Sequence, residues 1–336
     1  MSKNFVSIII VTLNRKKELV NCINSITKQK YNYFEVIVID NNSSDGSVEE
    51  LRKKYPFVRI FKTKKNLGTS YTRNAALIFS RGDIVWFLDS DVYLNDKNIM
   101  KQMVKKIING KDALGGEAIL NNQDEIVGNK KLILYPNGMI KGQIYLNNKD
   151  SKTKVLPTCN LMIKKNCIID IGGFDHFYFF YLEDLDLTLR LNNSGYSLYS
   201  LGNCGVVHYF SKKTRFNNLY ISGKNRTYFV LKNLGIINLL LLPFLDLIYI
   251  FDFKNLFKIY NKVLSDDRIE NSRIKIKNKN FSFFSLKNVF FLIINKFLSM
   301  IYSYIFIPYF LIRSKSIRRK INFLNLVNIS DFKKIS

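Results

Sequence analysis

Ile84-Val85-Trp86-Phe87-Leu88 runs without a break into Asp89-Ser90-Asp91. Five apolar residues without polar alternation read as a strand buried on both faces, and the three polar residues close it. Side chains two apart on extended backbone point the same way, so Asp89 and Asp91 can face one spot beyond the strand. Working back along the chain, the same pattern recurs. Val6 to Val11 and Phe34 to Ile39 read as strands, and so does Val58 to Lys62. Helical stretches at Lys16 to Lys28, Val48 to Lys54 and Ser70 to Phe79 separate them. Strand and helix in alternation imply a parallel sheet with both faces covered. Polar residues gather where those strands end, at Thr12 and Asn14, at Asp40 to Asp45 and at Asp89 to Asp91, which is where open α/β sheets bind ligands.

The rest of the chain bounds the answer. It has 336 residues, 47% of them hydrophobic, enough for a catalytic domain with an appendage. With 16 Gly and 5 Pro it is neither disordered nor collagen-like. Cys22, Cys159, Cys167 and Cys204 form no CxxC pair, which disfavours zinc and fits free thiols in a reducing compartment. The lead Met1 to Asn4 is polar and no cleavage-like segment follows Phe5 to Leu13, so a cytoplasmic catalytic domain is expected. A net charge of +26 calls for an anionic partner: nucleic acid, a phosphorylated substrate or an anionic lipid surface.

Two clustered carboxylates suit a hard divalent ion such as Mg²⁺ or Mn²⁺, which would keep positions open for diphosphate oxygens. A bare DxD is more often a polar turn. Its setting alters that balance. The ordered set Val6 to Arg15, Val36-Ile37-Val38-Ile39-Asp40-Asn41-Asn42-Ser43-Ser44-Asp45-Gly46-Ser47, Asn66-Leu67-Gly68 through Arg73-Asn74, Phe87 to Asp91, Gly172-Gly173-Phe174-Asp175 and Glu183-Asp184-Leu185-Asp186 resembles glycosyltransferase family 2. The similarity spans roughly residues 5 to 230. It implies the GT-A fold, an α/β Rossmann-like, mostly parallel central sheet with helices on both faces.

The resemblance also assigns roles. Thr12, Asn14, Arg15, Asp40, Asn42, Gly68, Arg73, Asp89, Ser90 and Asp91 fall in the donor site for a nucleotide-diphosphate sugar of UDP or dTDP type. Asp40 matches the carboxylate that receives a hydrogen bond from the pyrimidine imide, and Thr12 flanks the base. Arg73 matches a cation near the diphosphate, a place suited to a guanidinium fork. The metal, Mn²⁺ or Mg²⁺, would be held by Asp91 and Asp89 with His208. Asp184 takes the general base role, with Glu183 as its competitor, and attack in one step would invert the anomeric carbon. His176 has no counterpart. Asn225-Arg226 resembles the basic segment of rhamnosyltransferase-like members that add a single sugar, and the QxxRW signature of processive synthases is absent after His208.

Domain limits are expected at 1–229 for the catalytic domain, divided at 91 into nucleotide and acceptor halves, and at 230–336 for a basic, apolar helical region. From Val230 on there are 18 basic and six acidic residues. Leu234 to Phe251 contains Pro243 and Asp246, and Val289 to Ile312 contains Lys296 and Pro308, against the roughly 20 apolar residues of a span. Two crossings would also put Lys254, Lys258, Lys262, Arg268, Arg273, Lys275, Lys277 and Lys279 outside, against the positive-inside tendency. Asn288, Asn295, Ser299 and Ser303 share one side of a helix. That suggests an interfacial position on anionic lipid; the alternatives are a soluble helical subdomain packing its apolar side on the catalytic domain and a single crossing anchored by Arg313, Lys315, Arg318, Arg319 and Lys320. The sequence thus points to an inverting transferase acting on a glycan or lipid-linked acceptor at the cytoplasmic face of a membrane, with no nucleic-acid partner. The rivals are a basic nucleic-acid-binding protein, which would bind in a salt-sensitive way, and an inactive scaffold of the same fold.

Overall fold

The computed structural model describes residues 4–120, 126–145, 149–202, 206–208, 219–250, 298, 300–314 and 321–335. The first half follows the alternation read from the sequence: β1 (Val6–Thr12), α1 (Lys16–Ile26), β2 (Phe34–Asp40), α2 (Ser47–Lys54), β3 (Arg59–Thr63), α3 (Thr69–Phe79) and β4 (Ile84–Asp89). After it come β5 (Val92–Leu94), α4 (Ile99–Ile108), β6 (Ala113–Gly115), β7 (Glu117–Leu120), β8 (Ile126–Leu134), β9 (Ile140–Tyr145), β10 (Ser151–Lys152), β11 (Asn160–Lys164) and α5 (Lys165–Asp170). The remainder holds α6 (Glu183–Asn193), β12 (Leu198–Ser200), β13 (Val206–His208), α7 (Leu219–Phe229), α8 (Ile236–Leu240), α9 (Leu242–Ile250), α10 (Ile307–Ile312) and β14 (Phe332–Lys334). A π-helical turn, Val230–Leu234, joins α7 to α8.

The main sheet runs in the order β10-β12-β6-β11-β4-β1-β2-β3-β14. Strands β4, β1, β2 and β3 are parallel, with Thr12 level with Asp40 and Val11 level with Asp89, so three strand tips end side by side. The expectation of a mostly parallel sheet is corrected beyond β4. Strand β11 runs antiparallel to both β4 and β6, and β10 and β14 are antiparallel to their neighbours. The sheet is mixed because the second half reaches it by short returns, which antiparallel pairing permits.

Alternation along the buried strands explains the layers. Ile8, Ile10, Val36, Val38 and Trp86 pack with Leu19 and Ile23 of α1 and Met100 and Met103 of α4. Ile9, Ile37, Ile39 and Phe87 point the other way, onto Ala76 and Leu77 of α3, Ile168 of α5 and Leu187 of α6. Each such side chain fully buried is worth about 1.5–3 kcal/mol against exposure. A third cluster, with Tyr178, Leu185, Phe229, Leu231, Leu239 and Phe310, fastens the C-terminal helices to α6.

The boundary expected at residue 230 does not isolate the C-terminal region from the catalytic domain. Strand β14 adds to the main sheet beside β3, and Phe332 stacks on Tyr71 and meets Phe79 edge-on. Just before it, the Phe323 amide donates to Gly172 O at 2.8 Å. Gly172 has φ +81°, and a Cβ there would lie 2.6 Å from Ile321 O, so only glycine lets the returning chain lie this close.

Candidate functional site

Strand order explains how the acidic pair meets a histidine 117 residues away. Strand β5 starts directly after Asp91, and β13 pairs with it antiparallel so that His208 lies opposite Val92. The imidazole Nε2 is 3.1 Å from Asp91 Oδ1 and 3.8 Å from Asp89 Oδ2. Ligand atoms of Asp89, Asp91 and His208 all lie within 4.8 Å of one another. Two carboxylates and an imidazole at that spacing fit Mn²⁺ or Mg²⁺, the nitrogen favouring the former. Ser90 lies buried between the two acids. Arg15 pairs with Asp91, and Arg73 Nη2 is 3.1 Å from Asp89 Oδ1. Burial opposes ionisation of Asp91, but the hydrogen bond and charge of His208, then Arg15, hold its carboxyl below the usual range. Burial likewise opposes the imidazolium, yet the hydrogen bonds to Asp91 and Glu117 raise His208 to about 9.

Across Arg73 lies the head of α6. The residues before it, Tyr181 and Leu182, have φ of +78° and +72°, a conformation that costs a non-glycine residue of order 1–3 kcal/mol. The segment is pinned by its carbonyls. Thr69 N donates to Phe179 O at 2.8 Å, and Asn225 Nδ2 donates to Phe180 O and Tyr181 O at 2.8 and 2.9 Å. Gly68, at φ +79°, permits this approach, since a Cβ there would lie 2.4 Å from Phe179 O.

The two acids that open α6 differ. Glu183 is buried and tied, with Arg73 Nη1 at 2.7 Å and Thr69 Oγ1 at 2.8 Å both donating to Oε1. Asp184 is half-buried and among the described residues receives the Leu185 amide at 2.9 Å and a long contact from Thr158 N at 3.4 Å. Burial, then the charge of Glu183, pushes its pKa to about 7 against the pull of Arg73. A proton-accepting carboxylate needs a pKa near neutrality, and of the two acids Asp184 is the one raised to about 7 while Glu183 is ion-paired with Arg73.

At the far end of the cleft, Thr12 and Asp40 sit level on β1 and β2. The expected contact between Asp40 and a pyrimidine is not what its side chain makes here. Asp40 is fully buried; both oxygens take the Ser43 amide, at 3.1 and 3.3 Å, and Lys62 Nζ lies 3.6 Å away. It closes the turn after β2. Thr12 Oγ1 is buried with no partner among the described residues, beside that turn. Asn14 (φ +52°) receives the Ser44 amide at 2.8 Å and gives its own amide to Ser43 Oγ, tying the β1 loop to the β2 loop. Asn42 is exposed with φ +72°. Two site-building residues had no signal in the sequence. Asn41 holds Asn66 and the Leu67 amide, and so places Gly68; Glu117 touches His208.

Other residues that the sequence singled out serve the fold. Arg226 is buried, pairs with Asp246 and donates to Asn137 O at 3.0 Å, which fastens α7 to α9 and to the turn after β8. Asp246 interrupts its apolar run to make that pair, and also accepts from Asn137 and Tyr304. Ser303, expected on a lipid-facing side, is buried against Arg226 and Thr227. His176 meets Asn74 at 2.7 Å between Tyr71 and Phe323. No helix of the described residues is long and apolar enough to cross a membrane. The basic stretch from Lys254 to Lys279, together with Cys204, Asn288, Asn295, Lys296, Ser299, Lys315, Arg318, Arg319 and Lys320, lies outside the described residues.

Comparison with known proteins agrees with this geometry. Residues 7–172 match the family model described as Glycosyl transferase family 2. The glycosyltransferase AglE of Haloferax volcanii is 28% identical over 206 residues, which cover 58% of this chain and 63% of that protein. The chain spans about three fifths of the length of such relatives. A mannosyltransferase from Pyrobaculum calidifontis, solved with GDP-Man and Mn²⁺, superposes with a TM-score of 0.52 at 16% identity, over 68% of this chain and 63% of that one. Staphylococcus aureus TarS 1–349, solved with UDP-GlcNAc, gives 0.53 at 19% identity over 68% and 64%. Identities this low establish a shared GT-A-like architecture.

Proposed function

We propose, from the match of residues 7–172 to the Glycosyl transferase family 2 model, that the chain is a metal-dependent, inverting glycosyltransferase that moves one sugar from a nucleotide-diphosphate donor to a glycan or lipid-linked acceptor. The observation that carries this is the convergence of Asp89, Asp91 and His208 just beyond the tip of β4, with Arg73 linking Asp89 to Glu183 beside Asp184. A divalent ion bound there supplies positive charge to the leaving diphosphate. The protein's own groups do the rest. Arg15 and Arg73 hold the carboxylates now and are placed to turn to phosphate oxygens, where a guanidinium fork binds well. The acceptor hydroxyl gives its proton to Asp184 as its oxygen bonds to the anomeric carbon, and the bond from that carbon to the diphosphate oxygen breaks. Attack opposite the leaving group inverts the centre.

Proximity to a membrane forms part of the same reading. Helices α8 and α9 expose Ile237, Leu240, Phe244 and Ile248, and Ile312 at the end of α10 is 86% exposed. Among the described residues these helices are too short to span, and in this reading the face rests in the headgroup region of the cytoplasmic leaflet, where an excess of Lys and Arg favours anionic lipid.

The test is thermal stabilisation by a panel of UDP-, dTDP- and GDP-sugars with and without Mn²⁺, followed by transfer assays. The active donor raises the melting temperature only with metal, and Asp91→Ala abolishes both that shift and transfer. A fully active Asp91→Ala, or a donor shift indifferent to metal, rejects the proposal.

A further inference from the structure

His208 is gripped from two sides. Its Nε2 faces Asp91 and Asp89, while its Nδ1 lies 3.3 Å from Glu117 Oε1. Glu117 opens β7 immediately after Gly115-Gly116, on a small antiparallel sheet separate from the strands that carry the acidic pair. An ionised carboxylate only accepts, so a ring that gives up its Nε2 proton to take a cation keeps its Nδ1 proton against Glu117. In the neutral ring that leaves the Nε2 lone pair aimed at the acidic pair.

The carboxylate is itself fixed. Lys130 Nζ donates to its other oxygen, Oε2, at 3.1 Å, and the Cys159 thiol donates to Oε1 at 3.4 Å. Register explains the first contact, because Glu117 and Lys130 are directly opposed across β7 and β8. The Glu117 side chain is 11% exposed, so the grip on the ring is shielded from water.

The geometry points to Glu117 as a positioning residue that sets the tautomer and rotation of His208 so that Nε2 serves a divalent cation at Asp89 and Asp91. The assignment rests on the metal-dependent reading above. A carboxylate behind a ligating histidine fixes the ring and makes its other nitrogen more basic; loss of such a partner typically weakens metal binding 10- to 100-fold. Glu117, Cys159 and His208 also lie within 4.8 Å of one another and could be taken for a second cation site. Lys130 stands against that arrangement, since a cation there would face an ammonium held on the same carboxylate.

The experiment uses the full chain and Mn²⁺ alone, with affinity from calorimetry and histidine coordination from the ¹⁴N coupling in pulsed electron paramagnetic resonance. Glu117→Ala is expected to bind Mn²⁺ about 10- to 100-fold more weakly with the nitrogen coupling lost or shifted. Glu117→Gln keeps an acceptor for Nδ1 and should restore the coupling and part of the affinity. Metal-free melting temperatures separate this from general destabilisation. Should the Ala variant fail to fold, Glu117→Met, which fills the same space without an acceptor, decides, and Mn²⁺ binding within twofold of the parent overturns the role. A folded Ala variant with parental affinity and coupling does the same. Loss of Mn²⁺ binding in Cys159→Ser but not in Asp91→Ala would move the ion to the second cluster and also overturn it. A parent chain that takes up no Mn²⁺ instead removes the metal reading beneath it, a result distinct from failure of Glu117 alone.

Discussion

Asp184 and Asp186 are two residues apart on one helix, and their surroundings drive them in opposite directions. A step of two residues turns about 200° around an α-helix, so the two carboxylates leave on opposite sides. Asp184 looks toward Arg73 and Asp89, half-buried, with its pKa raised to about 7. Asp186 looks into the C-terminal region and is fully buried. Arg190 and Lys232 overcome its burial and hold it at about 2. Lys232 also reaches Asp175 Oδ2 at 2.7 Å, which Tyr228 bonds at the same distance, and Asn233 donates to Asp186 at 2.9 Å. The same side chain is thus left near neutrality on one face, where we propose the base, and serves as a rivet on the other. What separates them is a matched cation within hydrogen-bond reach.

The contrast is open to test. The largest effect is expected on the reactive face: Asp184→Asn should lower transfer by about 10²–10⁴-fold with the donor-induced melting shift intact. An equal loss of donor binding would make Asp184 structural. In the parent, transfer should climb with pH through about 7 and then level off, because the base must be ionised, and the residual activity of Asp184→Asn should lack that limb. The stability sign comes from the same shift. A folded pKa above the ordinary carboxyl value of 3.8 means a contribution fully present below about pH 4 and lost as pH rises through 7. Asp184→Asn should therefore flatten that stretch of the stability profile.

On the rivet face, Lys232→Met leaves Asp175 and Asp186 without their shared cation, which should destabilise the fold by about 3–5 kcal/mol in urea melts. An unchanged midpoint would dissolve the distinction. Between the faces, Gly68→Ala forces a Cβ onto Phe179 O and should cost about 1–3 kcal/mol, displacing the strained turn before Glu183 and slowing transfer more than it weakens donor binding. The smallest effect belongs to the exposed apolar face. Phe244→Ser should weaken vesicle cosedimentation by about 1.5–3 kcal/mol if that ring enters lipid, and leave soluble-acceptor transfer untouched.

The parallel half was legible because its signals are local. Each buried strand is a continuous apolar run, and the polar tips at Thr12, Asp40 and Asp89 come directly after. The strands after β5 are mostly short, and their direction is set by partners far along the chain, so no period announced the mixed sheet. Within the site, Asp89, Asp91 and His208 were found as a pattern and come together as expected. Asp40 and Arg226 were singled out by the same kind of pattern; in the fold Asp40 accepts the Ser43 amide and Arg226 pairs with Asp246. Pattern cannot tell these cases apart, because burial and pairing are tertiary. Glu117 and Asn41 are the complement: ordinary polar residues made consequential by what the fold sets beside them.

The strand Phe332–Lys334 has a bearing on how the polypeptide is made. Its partner β3 lies about 270 residues upstream. At ribosomal speeds of about 5–20 residues per second, β3 spends roughly 15–50 s as a bare sheet margin before its cover emerges. The nascent protein must pass that interval with an aggregation-prone border showing, which makes it a natural client for chaperones. A ribosome stalled before residue 332 would leave that border open.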